Sequence, residues 1–518
     1  TLPPSLLWII QIHCSRLMDS HPTTASPTAE LVFLPAPFTG HITSMLALAH
    51  LLADRHPRLS LTIFLMNSPF DPTVTAIPSP LPHPRVRFLH LPDANIPAST
   101  AAPNSVGAAL WALVEQNKQP LRDAVAGLMA GSVSLNRPRL AAFVLDIFCM
   151  PMVDVATGFG APSYIFYTSG AATLGLLLHL QSLYDDLGGR AYADFINSDA
   201  ELPVPTFAAP IPLRQVLLPG SFKEEGECIH FFNHARRIGE ARGILVNTFS
   251  ELESHAVLAL QKAAGRIPPI YPVGPILNLA IEASSCREDI AAWLDKQPAS
   301  SVLLLCFGSM GSFEAEQVRE IARGLERSGH RFLWSLRRPP ANGSAQLGDY
   351  SDPEEVLPEG FLGRTAEVGR VIGRAPQAAV LSHASVGGFV SHCGWNSVLE
   401  SLWFGVPIAT WPLFAEQQMN AVTMARELGV AAEITMEYRK DPRVAKANRV
   451  VPAEEVERGI RRVMAQESEV RSRVKAMMEL SRKAVGPDGS SFTAVQCFID
   501  DAIQRILSAS VRDCSDIN

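Results

Sequence analysis

The sequence predicts an α/β protein built from two Rossmann-like, doubly wound domains, each a parallel sheet with helices on both faces. Three observations carry this expectation. Short runs that are apolar at nearly every position alternate with longer segments of helical spacing, as strands buried on both sides of a parallel sheet require. A proline- and glycine-dense stretch, RIPPIYPVGP at residues 266–275, divides that alternation into two halves. The 518 residues, 47% of them hydrophobic, supply material for two cores.

In the first half, ELVFLPAP opens the pattern as a strand ending in proline punctuation, and ITSMLALAHLLADRH follows as a helix. LSLTIFLMN, VRFLHLP, LAAFVLDIF, PSYIFYTS and GILVNTF then read as further strands separated by helical segments. In the second half SVLLLCFGS, RFLWSLR, VGGFVSHCG and PIATWPLF read as strands, with helices at FEAEQVREIARGLERSG and NSVLESLWFG. Residues 339–353 read as a loop insertion, and residues 452–507 as charged helices. The expected boundaries are a disordered leader at 1–28, an N-terminal domain at 29–265, a linker at 266–276 and a C-terminal domain at 277–485. A terminal helix and tail at 486–518 should pack back on the N-terminal domain. The opening TLPPSLLWIIQIHCSRL has no basic residue before its apolar run and no small-residue cleavage site after it, which argues against a signal peptide. Met18 reads as the natural start.

Composition excludes several classes of function. A net charge of −7 leaves no basic excess for displacing counterions from nucleic acid. No run reaches the roughly 18 to 20 apolar residues that a membrane-spanning helix needs. The eight cysteines are scattered without a CxxC pair, as reduced thiols in a cytoplasmic protein would be. A monomer is expected.

The chemistry concentrates in RAPQAAVLSHASVGGFVSHCGWNSVLESLWFGVPIATWPLFAEQQ, residues 374–418. Its strand VGGFVS runs through His392, Cys393 and Gly394 into a helix opening at Trp395, Asn396 and Ser397. The first turn of a helix has unpaired N–H groups and the positive end of the dipole, so it suits a phosphate. Asn396, Ser397 and His392 add side-chain donors. Glu400 lies one turn further on the same face, where a carboxylate can accept from the paired hydroxyls of a ribose. A strand–glycine–helix junction with Asn and Ser is also what a plain N-cap looks like.

The whole segment resembles the signature box of plant family 1 UDP-dependent glycosyltransferases, the small-molecule glucosyltransferases of secondary metabolism. The match includes Ala375-Pro376-Gln377, His392 through Ser397, Glu400-Ser401, Gly405-Val406-Pro407, Trp411-Pro412 and Ala415-Glu416-Gln417. The resemblance extends over nearly the whole chain from Glu30 and implies a GT-B fold, two Rossmann-like domains facing across a cleft. It implies that Ala375 meets the uracil through its backbone and that Gln377 and Glu400 bind the ribose. His392, Asn396, Ser397 and Ser309 of FGSMGS would hold the diphosphate, and Trp395, Glu416 and Gln417 would contact the sugar. Gln417 favours glucose over galactose. The box normally opens with a tryptophan that stacks on uracil. Arg374 stands there instead, and its planar guanidinium can also stack on a base.

His41 lies just past the first strand and Asp146 at the end of the fourth, at carboxyl ends that face the crevice of a doubly wound sheet. Taken alone, His41 reads as a helix-start polar residue and Asp146 as a strand-end cap. The family places a His/Asp dyad at these motif positions, and an imidazole backed by a carboxylate can take the proton of an acceptor hydroxyl near pH 7. Thr168 matches a family position close to the sugar. The implied reaction is inverting transfer of glucose from UDP-glucose, a co-substrate, to a small lipophilic acceptor such as a flavonoid or other phenol. It needs no cofactor, and the lack of an Asp-x-Asp motif fits metal independence. The acceptor pocket is expected from N-domain loops at 70–77, 148–153 and 178–193, which are apolar and aromatic. Trp395 and Gln417 weigh against galactosyl, xylosyl and glucuronosyl transfer. A nicotinamide-dependent oxidoreductase would need G-x-G-x-x-G after the first strand, and LPAPFTGHITS lacks it. A non-catalytic sugar-nucleotide sensor would be expected to lose His41 or Asp146, and both are present.

Overall fold

Seven parallel strands form the first sheet: β1 (Ala29–Leu34), β2 (Leu59–Leu65), β3 (Val86–His90), β4 (Arg139–Asp146), β5 (Ser163–Tyr167), β6 (Gly243–Val246) and β7 (Ile270–Pro272). Their order across the sheet is β3-β2-β1-β4-β5-β6-β7. This computed structural model describes residues 28–67, 83–93, 106–130, 138–196, 198–213, 225–279, 288–340, 347–436, 438 and 449–515. The second sheet holds β8 (Val302–Cys306), β9 (Arg331–Ser335), β10 (Gly369–Ile372), β11 (Val386–Ser391), β12 (Ile408–Thr410) and β13 (Ala431–Glu433), all parallel. Its order is β10-β9-β8-β11-β12-β13. Strands β1, β2, β5 and β8 are buried along their whole length, which is why they read as mostly apolar runs; the buried Glu30 of β1 accepts from Thr62 of β2 at 2.5 Å.

Each sheet reverses its winding once, and ligands of doubly wound sheets bind outside the carboxyl ends of the strands at that reversal. In the first sheet the reversal falls between β1 and β4. Beyond β1 comes the helix α1 (Thr39–Arg55) that carries His41, and β4 ends on Asp146. In the second it falls between β8, which leads to Ser309, and β11, which leads through His392 into the helix α2 (Trp395–Phe404).

The segment expected to be a linker does more than connect. Ile270–Pro272 pairs with β6 in the register Ile244↔Ile270, Leu245↔Tyr271 and Val246↔Pro272 and forms the outer edge of the first sheet. Proline is tolerated there because an edge strand leaves one side of its backbone unpaired. The expected pocket loop at 178–193 is mostly helical, lying within Ala171–Leu187 and Gly189–Ile196. The loop at 70–77 and residues 1–27 lie outside the described residues.

After the second sheet the chain returns to the first through helix α3 (Ser490–Ser515). Val495, Phe498, Ile499, Ala502 and Ile503 share a core with Leu31, Phe33, Val144 and Tyr164. Asp501 accepts from Tyr164 Oη at 2.5 Å, from Arg242 Nε at 2.9 Å and from Tyr271 Oη at 3.3 Å. Among the described residues, no helix is long and apolar enough to cross a membrane.

Candidate active site

Asp146 is wholly buried and His41 is one quarter exposed, and Nδ1 of His41 lies 2.7 Å from Oδ2 of Asp146. The other carboxylate oxygen accepts from the Phe148 backbone N–H at 3.0 Å, which fixes the carboxylate plane. With a carboxylate accepting at Nδ1, the proton sits on Nδ1 and the lone pair is at Nε2. Thr168 Oγ1 lies 3.3 Å from the same Nδ1. Phe38 and Phe148 flank the imidazole, with ring centroids 5.9 and 5.4 Å away. Phe148 in turn contacts His234, which lies edge-on to Trp111 at 4.6 Å. Burial of His41 works against its charged form, but the charge and hydrogen bond of Asp146, with Glu416 further off, outweigh it and raise the pKa above the ordinary histidine value.

On the other domain, β11 leaves the sheet at His392, and Cys393 turns the chain with a left-handed φ of +62°. Asn420, fully buried, donates to the Cys393 carbonyl at 3.0 Å and holds that turn in place. Helix α2 starts after Gly394, with no side chain capping its first N–H groups. The His392 ring is pressed between two glycines. A Cβ at Gly308 or at Gly394 would come within 2.6 or 2.5 Å of its Nε2, and Gly308 has a φ of +75°. Burial lowers the His392 pKa to about 4, so the imidazole is neutral near pH 7 and offers one N–H. Gln377 donates to Glu400 Oε2 at 2.7 Å and to Ser397 Oγ at 2.8 Å, so these three polar groups are already assembled. Gln417 is buried, and its carbonyl accepts from the Leu413 and Phe414 N–H groups at 2.9 and 3.1 Å, leaving the amide NH₂ as what it can offer. Just before it, Ala415 adopts a φ of +55°, and the partly buried Glu416 has its pKa raised by burial. Ala375 is partly buried, while Ser309 and Arg374 are exposed.

Two consecutive residues of the donor-side helix reach across to the first domain. Asn396 Nδ2 donates to the Gly40 carbonyl at 3.2 Å, and Asn396 Oδ1 accepts from Ser44 at 3.1 Å. The indole N–H of Trp395 donates to the Asn247 carbonyl at 2.6 Å, and Trp395 is 3% exposed. Its indole donor is therefore committed to the other domain, while its backbone N–H lies in the first turn of α2. The same ring sits against Gly170, where a Cβ would meet it at 2.8 Å. Ser44, Asn247 and Asn420 gave no sign in the sequence, because each acts through a residue distant in the chain.

Residues 270–452 match the family described as UDP-glucoronosyl and UDP-glucosyl transferase. UDP-glycosyltransferase 71A15 of Malus domestica is 51% identical over 476 residues, covering 91% of this chain and 99% of that protein. The chain belongs to the plant UDP-glycosyltransferases. UDP-glucose flavonoid 3-O-glucosyltransferase 6 of Fragaria ananassa is 48% identical, covering 91% of this chain and 98% of that one. Among solved structures, a transferase from Siraitia grosvenorii in complex with UDP superposes with a TM-score of 0.81 at 46% identity, covering 92% of this chain and all of that one. Medicago truncatula UGT71G1 complexed with UDP-glucose gives 0.75 at 36% identity, with coverage of 92% and 98%. This UDP-glycosyltransferase has the GT-B fold of those neighbours, and its two sheet reversals are the two walls of the cleft.

Proposed function

We propose that this enzyme moves glucose from UDP-glucose to a hydroxyl of a small lipophilic acceptor, a flavonoid or other phenol, with inversion to a β-O-glucoside. The observation that carries the reading is His41 backed by the buried Asp146, facing a helix N-terminus that belongs to the other domain. His41 Nε2 takes the acceptor proton as the acceptor oxygen attacks the anomeric carbon from the face opposite the diphosphate. The bond from that carbon to the diphosphate oxygen breaks, uridine diphosphate leaves, and the imidazolium later returns its proton to solvent. The first-turn N–H groups of α2, with Ser309, His392, Asn396 and Ser397, meet the charge on the leaving group, so the step calls on no metal ion. Gln377 and Glu400 hold the ribose and Ala375 the uracil. Glu416 and Gln417 hold the glucose, with Thr168 beside it. The aromatic wall of Phe38, Phe148 and Trp111 suits a flat, apolar acceptor, and the flavonoid relative supports that class.

The test is the purified chain with UDP-glucose and a panel of phenols, read by mass and by the anomeric coupling of the product. A β-linked hexose adduct is expected. An α-linked product, or transfer only from UDP-galactose, UDP-xylose or UDP-glucuronate, would overturn the reading.

Arg374 carries a second expectation. Stacking on a base is worth about 1 to 3 kcal/mol, and Arg374 is the exposed planar group next to Ala375. Arg374→Ala should weaken uridine diphosphate several-fold, and Arg374→Trp, which offers a larger face, should tighten it modestly. Equal affinities by calorimetry in all three proteins would remove Arg374 from the base.

A further inference from the structure

Ser44 sits on α1 three residues after His41, and it is 3% exposed. Its hydroxyl lies 2.9 Å from the Gly40 carbonyl and 3.1 Å from Asn396 Oδ1. Asn396 Nδ2 lies 3.2 Å from the same Gly40 carbonyl. Ser44, Gly40 and Asn396 thus close a small ring across the cleft, and one member of that ring is the residue bonded covalently to His41. A serine hydroxyl has one hydrogen and an amide nitrogen has two. When Ser44 donates to Oδ1, one Asn396 N–H goes to Gly40 and the other is left to be offered elsewhere. Two contacts decide which way round this side-chain amide lies, the Gly40 carbonyl facing Nδ2 and the Ser44 hydroxyl facing Oδ1, since its oxygen and nitrogen ends are nearly equal in shape. Turned over, Asn396 would set its oxygen against the Gly40 carbonyl and present the wrong dipole to a diphosphate. The neighbouring Trp395, bonded to Asn247 at 2.6 Å, keeps the start of α2 at a fixed distance from the first domain, so the ring cannot relax by drifting apart.

We propose that Ser44 is a positioning residue that, together with the Gly40 carbonyl, fixes the sense of the Asn396 amide and so lets the diphosphate end of the donor site set the attitude of the peptide carrying His41. The inference rests on the reading of His41 as the base. Alanine is the best helix former, so Ser44→Ala should fold as wild type does. It removes only the hydroxyl, and turnover should fall about 10-fold, the cost of one buried hydrogen bond expressed as a rate. The loss should lie in kcat rather than in the acceptor KM, with the melting temperature unchanged. Ser44→Thr keeps the hydroxyl and should retain most of the turnover.

The deciding measurement is the double variant. In a His41→Ala background, where no base remains to be positioned, adding Ser44→Ala should cost clearly less than about 10-fold, the remainder being what the Asn396 amide itself gives the diphosphate. A full additional 10-fold loss there would overturn the proposal while leaving His41 as the base. Wild-type turnover in Ser44→Ala would also overturn it. Wild-type turnover in His41→Ala alone is a separate result, one that fails the underlying reading and not the Ser44 contact.

Discussion

Replacing His41 by alanine is expected to cut glucosyl transfer to a neutral phenol by about 10²- to 10⁴-fold, the usual contribution of a general base. Affinity for uridine diphosphate should be nearly unchanged, because the imidazole belongs to the first domain and the diphosphate cradle is built from the second. The loss should shrink for acceptors whose hydroxyl ionises close to the working pH, since these need less help in losing a proton. This graded response separates a base from a residue that only shapes the pocket. A pocket residue would cost every acceptor of one shape by the same factor, whatever its acidity. Steady-state rates over a series of substituted phenols of similar size, with calorimetry of uridine diphosphate, make the comparison. Wild-type turnover with a neutral phenol would remove His41 from the chemistry.

Much of the architecture was open to reading because it rests on burial. A strand covered on both faces has to be largely apolar, and β1, β2, β5 and β8 are, apart from the buried Glu30, Ser60, Thr62 and Ser163. The strand Ile270–Pro272 escaped for the converse reason. It is three residues long, lies at an edge and ends in proline, so its local composition is that of a linker although its hydrogen bonds are those of a sheet. Pairings across the cleft left no local trace at all. Trp395 finds Asn247 from 148 positions away, and Asn396 finds Gly40 from 356. Spacing rules see neighbours on one helix or strand, and neither pair is of that kind. The His41–Asp146 contact, 105 positions apart, was approachable because both residues follow strand ends and the family resemblance implies a dyad at these motif positions; the structure sets both at the same reversal of strand order.

Asp146→Asn is expected to cost about 10²- to 10⁴-fold in turnover, comparable with loss of the base itself. An asparagine there can still accept from the Phe148 N–H, so the turn after β4 should survive. Its NH₂ end can face Nδ1, however, and that favours the tautomer with the proton on Nε2, where the lone pair is needed. The pH profile gives a second, independent readout. Transfer needs neutral His41, so kcat/KM should fall as pH drops through the pKa of the free enzyme. Burial alone would place that pKa below the ordinary 6.5, and the Asp146 carboxylate is the main reason it lies above. The acid limb of the wild type should therefore stand above pH 6.5, and in Asp146→Asn it should move to lower pH. The same raised pKa stabilises the fold fully below the unfolded histidine value, and the contribution is lost as pH rises through the folded one. The stability difference between wild type and Asp146→Asn should thus narrow on the alkaline side of the limb. Rates of the variant from pH 5 to 9 decide the matter, and an acid limb that stays in place would mean that Asp146 does not govern His41.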